Sequence, residues 1–179
     1  MTAEAPLWTP SPAAIETAPM TRFLEAANAR HGLALTDYDT LHRWSIENRE
    51  DFWSLIWDWS GVIGERGERA LVDGDRMPGA RFFPDARLSY AENLLRNTGD
   101  GDAIVFRGED KVSYRWSWDE LRAKVSQFQQ FFQAQGVKTG DRIAAMMPNM
   151  PETIAAMLAA NALGAVWSSC APYFAVQGV

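Results

Sequence analysis

From Asp37 to Trp59 apolar side chains recur at every third or fourth position: Leu41, Trp44, Phe52, Ile56 and Trp59, with Asn48 in the same register. That spacing places them on one face of a helix, with Asn48 as the position of a break. Trp53 and Trp57 form a second aromatic stripe at i, i+4. Such a stripe is ordinarily packing against a core or a neighbouring domain; a ligand box of aromatic rings is the sharper alternative. A shorter helix is expected from Thr21 to Arg30, carrying Phe23, Leu24, Ala27 and His31 on one side. Residues 60–88, rich in Gly and Arg, read as connecting chain with short strands. Ser89 to Asn97 reads as a short helix capped by Ser89, with Glu92 three residues on and Tyr90, Leu94 and Leu95 turned inward.

After the turn-rich stretch Asn97-Thr-Gly-Asp-Gly-Asp102 the period changes. Ala103–Phe106 and Lys111–Trp116 read as two strands joined at Gly108-Glu-Asp110, a hairpin. Ser117-Trp-Asp-Glu120 is a capping box: the Ser hydroxyl accepts from the Glu120 backbone N–H and the carboxylate reaches back. The helix it opens sets Leu121, Val125, Phe128 and Phe132 on one face, and Gly136 ends it. Asp141–Met147 is an apolar run of the kind found in a sheet covered on both faces. Asn149 is expected to cap the next helix, Gly164 to end it, and Ala165–Cys170 to form a further strand. Strand, helix and strand with tight connections make a βαβ unit with parallel strands.

The helix from Met150 to Leu163 has Ile154, Met157, Leu158 and Asn161 on one face and alanines over most of the rest. Between residues 143 and 179 the single charge is Glu152. A surface helix on a sheet carries a charged outer face, so this one is expected to be covered on both sides. The sheet it serves is expected to need more strands, which makes the chain the N-terminal piece of a larger α/β protein, with a C-terminal remainder as its partner. A spanning helix is not expected there, because Pro172 interrupts the run.

Composition narrows the function classes. Among 179 residues, 47% are hydrophobic and 22% charged, as in an ordinary globular protein. The net charge is −6 and there is no basic block, which argues against a nucleic-acid partner. The N-terminus has neither an early positive charge nor an apolar core, so a secretory signal is not expected. With Cys170 alone there is no internal disulfide, and the cytoplasm is the expected compartment. Pro6, Pro10, Pro12 and Pro19 suggest that residues 1–20 form an extended arm.

Candidate chemistry is sparse. No Gly-rich phosphate loop is present. His31 and His42 have no metal-ligand partner at i+4, and Asp73, Asp75 and Asp85 lack calcium-loop spacing. Cys170 reads as a structural thiol. Arg81 and Arg87 flank Phe82-Phe83, where local ion pairing is expected before phosphate binding.

Three segments together carry a resemblance. Gly79-Ala-Arg-Phe-Phe-Pro-Asp-Ala-Arg-Leu-Ser-Tyr-Ala-Glu-Asn-Leu-Leu95 resembles the segment joining the N-terminal extension to the main domain of acetyl-CoA-synthetase-like enzymes. Trp116-Ser-Trp-Asp-Glu-Leu121 resembles the first core motif of adenylate-forming enzymes, and Met147-Pro-Asn-Met-Pro-Glu152 with Ala156–Ala165 the next. Leu41-His-Arg-Trp-Ser45, Phe52-Trp53, Trp57-Asp58 and Ala165-Val-Trp-Ser-Ser-Cys170 resemble the acetoacetate-activating subgroup. The resemblance implies a helical N-terminal extension over residues 21–100 and the start of an AMP-binding domain over 101–179. It implies ligation of a small carboxylic acid, with ATP, coenzyme A and Mg²⁺ as cofactors of the whole enzyme and none bound tightly by this piece. Acetate or propionate is the alternative acid, and a non-enzymatic Trp-rich interaction module the alternative class. No catalytic and no metal-ligating residue of this chain is implied. In acetyl-type members the loop matching Ala171–Phe174 helps hold the coenzyme A nucleotide, which implies Pro172, Tyr173 and Phe174 as cofactor-binding residues. Ala171 and Tyr173 depart from the subgroup's pattern, so a plain loop leaving the sheet stays open beside that reading.

Overall fold

The computed structural model describes residues 6–174. Two compact units emerge: residues up to Val62 with Arg66–Ala86, and Ile63–Glu65 with the chain from Arg87 onward.

The first unit is built from helices. α1 (Pro12–Glu16) is capped by the Ser11 hydroxyl, which accepts from Ala14 N–H at 3.2 Å. This single helical turn stands where an extended arm was expected, because Ser11 and Pro12 are a ready N-cap and first helical residue. α2 (Pro19–His31) ends at Gly32, whose left-handed backbone closes it. α3 (Tyr38–Glu47) and α4 (Arg49–Trp59) are the expected interrupted helix, parted at Asn48. Asp37 and Thr40 form a reciprocal capping box that opens α3; Thr40's backbone N–H holds the Asp37 carboxyl below the usual carboxylate range. Phe23, Ala27, Leu41, Trp44 and Leu55 form the buried core.

Leu55 was not on the helix face expected from periodicity, whereas Trp59 is 43% exposed. The break explains both: Asn48 leaves helical geometry at φ −125° and ψ 55°, so positions after it rotate relative to those before. The second aromatic stripe is packing. Trp53 meets Phe82 edge-on at 5.3 Å and Trp57 meets Phe83 at 5.0 Å, where β1 (Leu71–Val72) pairs antiparallel with β2 (Arg81–Phe82).

The second unit begins with α5 (Tyr90–Leu94), capped by Ser89 as expected. Its inward residue is Ala91, while Tyr90 and Leu94 are exposed; a five-residue helix lying close on another leaves room only for a methyl. β3 (Asp102–Gly108) and β4 (Val112–Ser117) form the antiparallel hairpin. α6 (Trp118–Ala134) opens with the full capping box: Glu120 N–H donates to Ser117 Oγ at 3.1 Å, and Ser117 N–H donates to Glu120 Oε2 at 2.7 Å. Ser117→Ala is expected to destabilise the unit by about 1 kcal/mol, read as a lower urea midpoint with an unchanged slope. An unaltered midpoint would show that the cap contributes nothing here.

β5 (Arg142–Met146), α7 (Pro151–Ala162) and β6 (Val166–Cys170) complete the βαβ unit, with the strands parallel and Arg142 opposite Val166. α7 is the centre of the core. Ala155, Ala159 and Ala160 are fully buried and Leu158 nearly so, beside Leu121, Val125 and Phe132 of α6. The alanine face is thus buried more completely than Ile154 and Met157, because small residues let α6 approach closely. The helix is capped at Met150 with no side-chain bond, not at Asn149; Pro151 supplies its first turn. Gly164 ends it at φ +72°, where a Cβ would lie 2.9 Å from Thr139 Cγ2. Only one face of the β5–β6 pair is covered by described residues: Arg142, Ala144, Met146, Val166 and Ser168 are exposed. Among the described residues no helix is long and apolar enough to cross a membrane.

Candidate functional site

In an open parallel sheet, ligands gather at the carboxyl ends of the strands, where loops and helix N-termini converge. Here that end is formed by Met146 and Cys170, which face each other in register. Side chains alternate across the sheet. Ala144, Met146 and Ser168 therefore share the open face, and Ala145 and the exposed Ser169 border the same end of the sheet. A depression of about 500 Å³ lies there, lined by Ala144, Met146, Ser168, Cys170 and Phe174 among others. The chain leaves β6 through a tight turn in which Phe174 N–H donates to Ala171 O at 3.1 Å. Tyr173 is 85% exposed, and its ring meets Phe174 edge-on at 5.6 Å.

Of the residues implied for cofactor binding, Phe174 borders the depression, while Pro172 and Tyr173 stand exposed beside it. Two exposed rings on one turn present flat apolar surface of the kind that stacks on an adenine. The lining itself is apolar or hydroxylic and carries no charged group. It suits the organic part of a ligand and supplies nothing to neutralise phosphate.

The loop from β5 to α7 forms the opposite lip. Met147 N–H donates to Cys170 O at 3.1 Å, and Thr153 Oγ1 donates to Pro148 O at 2.8 Å. Glu152, in the first turn of α7, accepts from the Tyr114 hydroxyl of β4, with both carboxylate oxygens 3.1 Å away. Burial and the Glu152 carboxylate push the Tyr114 phenol above its ordinary value, so it stays a neutral donor across the physiological range.

Other candidates resolve into packing or ion pairs. His31 lies against Trp44 at 5.2 Å, and His42 stacks on Tyr38 at 5.8 Å. Asp85 pairs with Arg69, whose guanidinium holds its carboxyl below the usual range. Asp75 pairs with Arg49 at 2.6 Å, and Asp73 with Arg76 and Arg81 at 3.8 and 3.6 Å. Among the described residues no three His, Cys, Asp or Glu side chains come together as metal ligands. The sequence reading missed Ser168 and Met146, which strand alternation would have placed on one face. It also missed the Tyr114–Glu152 pair, whose members lie 38 residues apart and have no local signature.

Residues 91–178 match the family model described as AMP-binding enzyme, and residues 38–94 match acetyl-coenzyme A synthetase N-terminus. An acetoacetyl-coenzyme A synthetase of Rhizobium meliloti (strain 1021) is 60% identical over 179 residues, all of this chain and 28% of that protein. An acetoacetyl-CoA synthetase of Macaca fascicularis is 39% identical over 167 residues, 89% of this chain and 24% of that one. The solved acetoacetyl-CoA synthetase from Streptomyces lividans superimposes with a TM-score of 0.87 at 39% identity, over 97% of this chain and 28% of that structure. The chain thus spans about a quarter of the length of the relatives it matches.

Proposed function

We propose that the protein of which this chain forms part is an AMP-binding enzyme that joins acetoacetate to the thiol of coenzyme A, converting ATP to AMP and pyrophosphate. The 60% identity to the Rhizobium meliloti acetoacetyl-coenzyme A synthetase along every residue carries this reading. The cytoplasm, where thiols stay reduced, suits both the lone cysteine and a thiol substrate.

In that reaction this chain contributes the helical extension and the opening βαβ unit of the AMP-binding domain. Its own ligand surface is the carboxyl end of β5 and β6. Tyr173 and Phe174 would stack on the adenine of coenzyme A, and the depression beside them would take apolar or hydroxyl-bonding parts of the same ligand. When bound, coenzyme A supplies the thiol that accepts the acyl group. Among the described residues no three His, Cys, Asp or Glu side chains gather as the carboxylate set a magnesium ion would use. ATP's phosphates likewise find no Gly-rich cradle in this sequence.

The test is turnover of the full-length enzyme with acetoacetate, acetate and propionate, read as AMP formation. Acetoacetate is expected to give the highest kcat/KM; a preference for acetate or propionate would overturn the assignment of substrate. In the same enzyme, Tyr173→Ala is expected to raise KM for coenzyme A about tenfold, the worth of one base–aromatic stack. An unchanged KM would return the Ala171–Phe174 segment to a plain connecting turn.

A further inference from the structure

We infer that Tyr114 is a positioning residue for the coenzyme A end of the site, acting through Glu152 and the β5–α7 loop. This rests on the function proposed above for the identity of the ligand and for its place at the Ala171–Phe174 turn. The Tyr114 hydroxyl has one proton, and both oxygens of Glu152 lie 3.1 Å from it. Glu152 is the one charged side chain of α7 and sits in its first turn, where the helix dipole favours a carboxylate. The pair therefore anchors the start of α7 to the hairpin.

What the anchor holds can be followed bond by bond. Thr153, next to Glu152, bonds Pro148 O through its hydroxyl and Met150 O through its N–H, at 2.8 and 3.0 Å. That fixes the loop Met147–Met150. Met147 N–H reaches Cys170 O at 3.1 Å, tying the loop to the last residue of β6. Cys170 leads directly into the turn closed by Phe174 N–H on Ala171 O. Met150 offers no side-chain cap, so the α7 start depends on these external ties. The result is an unbroken path of hydrogen bonds and adjoining chain from Tyr114 to the aromatic turn, through Glu152, Thr153, Pro148, Met147 and Cys170. Loosening it blurs the position of the turn and weakens coenzyme A binding while leaving adenylate formation intact.

The test uses the full-length enzyme and two readouts: calorimetric binding of coenzyme A, and acetoacetate-dependent ATP–pyrophosphate exchange, which precedes thioester formation. Tyr114→Phe and Glu152→Ala are each expected to weaken coenzyme A binding about fivefold, the scale of one lost charge-assisted hydrogen bond. Glu152→Gln, which keeps an acceptor for the hydroxyl, should retain most of the affinity, and the Tyr114→Phe/Glu152→Ala double variant should bind no worse than either single one. Exchange should be unchanged throughout. Wild-type affinity in Tyr114→Phe would overturn the inference, as would exchange falling in step with affinity, the mark of a merely destabilised unit. Absence of acetoacetate-dependent exchange in the wild type would overturn the proposed function instead, while coenzyme A affinity would still decide the role of Tyr114.

Discussion

The 179-residue chain by itself is expected to release no pyrophosphate above an enzyme-free blank when given ATP, acetoacetate and coenzyme A. Joining a carboxylate to the α-phosphorus of ATP develops charge on phosphate oxygens, and such reactions depend on fixed cations and backbone donors aimed at that charge. The described surface at the carboxyl end of β5 and β6 offers alanine, methionine, serine, cysteine and phenylalanine. Six of the eight arginines of the first unit, Arg30, Arg49, Arg66, Arg69, Arg76 and Arg81, are engaged with aspartates. Losing even one such stabilising donor lowers kcat by about 10²–10³-fold, so the absence of any charged group from the described lining at that sheet end predicts silence rather than a weak signal. Pyrophosphate production by purified chain, abolished by adding no ATP, would show that residues within the 179 perform the chemistry.

The largest stability effect is expected from Leu158→Ala. Leu158 is 2% exposed and lies in the same core as Leu121, Val125 and Phe132. Around it Ala155, Ala159 and Ala160 are already at the smallest size that a helix surface tolerates without a void, so few neighbouring side chains can swing into the space left behind. Truncation should destabilise the second unit by about 2–5 kcal/mol, a large part of the roughly 5–15 kcal/mol that holds a typical domain. Chemical denaturation should show the midpoint fall accordingly. Val105→Ala, on the exposed side of the hairpin at 59%, should change stability by less than about 0.5 kcal/mol. Equal effects from the two substitutions would mean that α7 is not the centre of the core.

Features governed by neighbours within four residues were legible before any coordinates. The Ser117–Glu120 box, the Ser89 cap and the Gly164 stop depend on side chains and backbone of one turn. Where the reading went astray, a longer-range contact had intervened. Asn149 is a good cap by type, but Pro151 and the Thr153 bond to Pro148 set the helix start one residue later. Tyr90 and Leu94 were expected inside by their apolarity, yet Ala91 occupies the contact because α5 lies against α7. The break at Asn48 was legible, but the turn it gives α4, which buries Leu55 and leaves Trp59 exposed, was not.

The candidate site divides in the same way. The βαβ order and the apolar strands follow from hydrophobic spacing alone, since a period of two or of 3.6 is a local property of the backbone. The residues that share the open face, the packing of Trp53 and Trp57 on Phe82 and Phe83, and the Tyr114 hydroxyl on Glu152 were decided only in three dimensions. Each joins segments whose separation in sequence carries no periodic trace, and each depends on how closely two elements pack. Local chemistry thus fixed which elements form and where most of them stop; side-chain size and hydrogen-bond geometry between distant elements fixed which side chains meet.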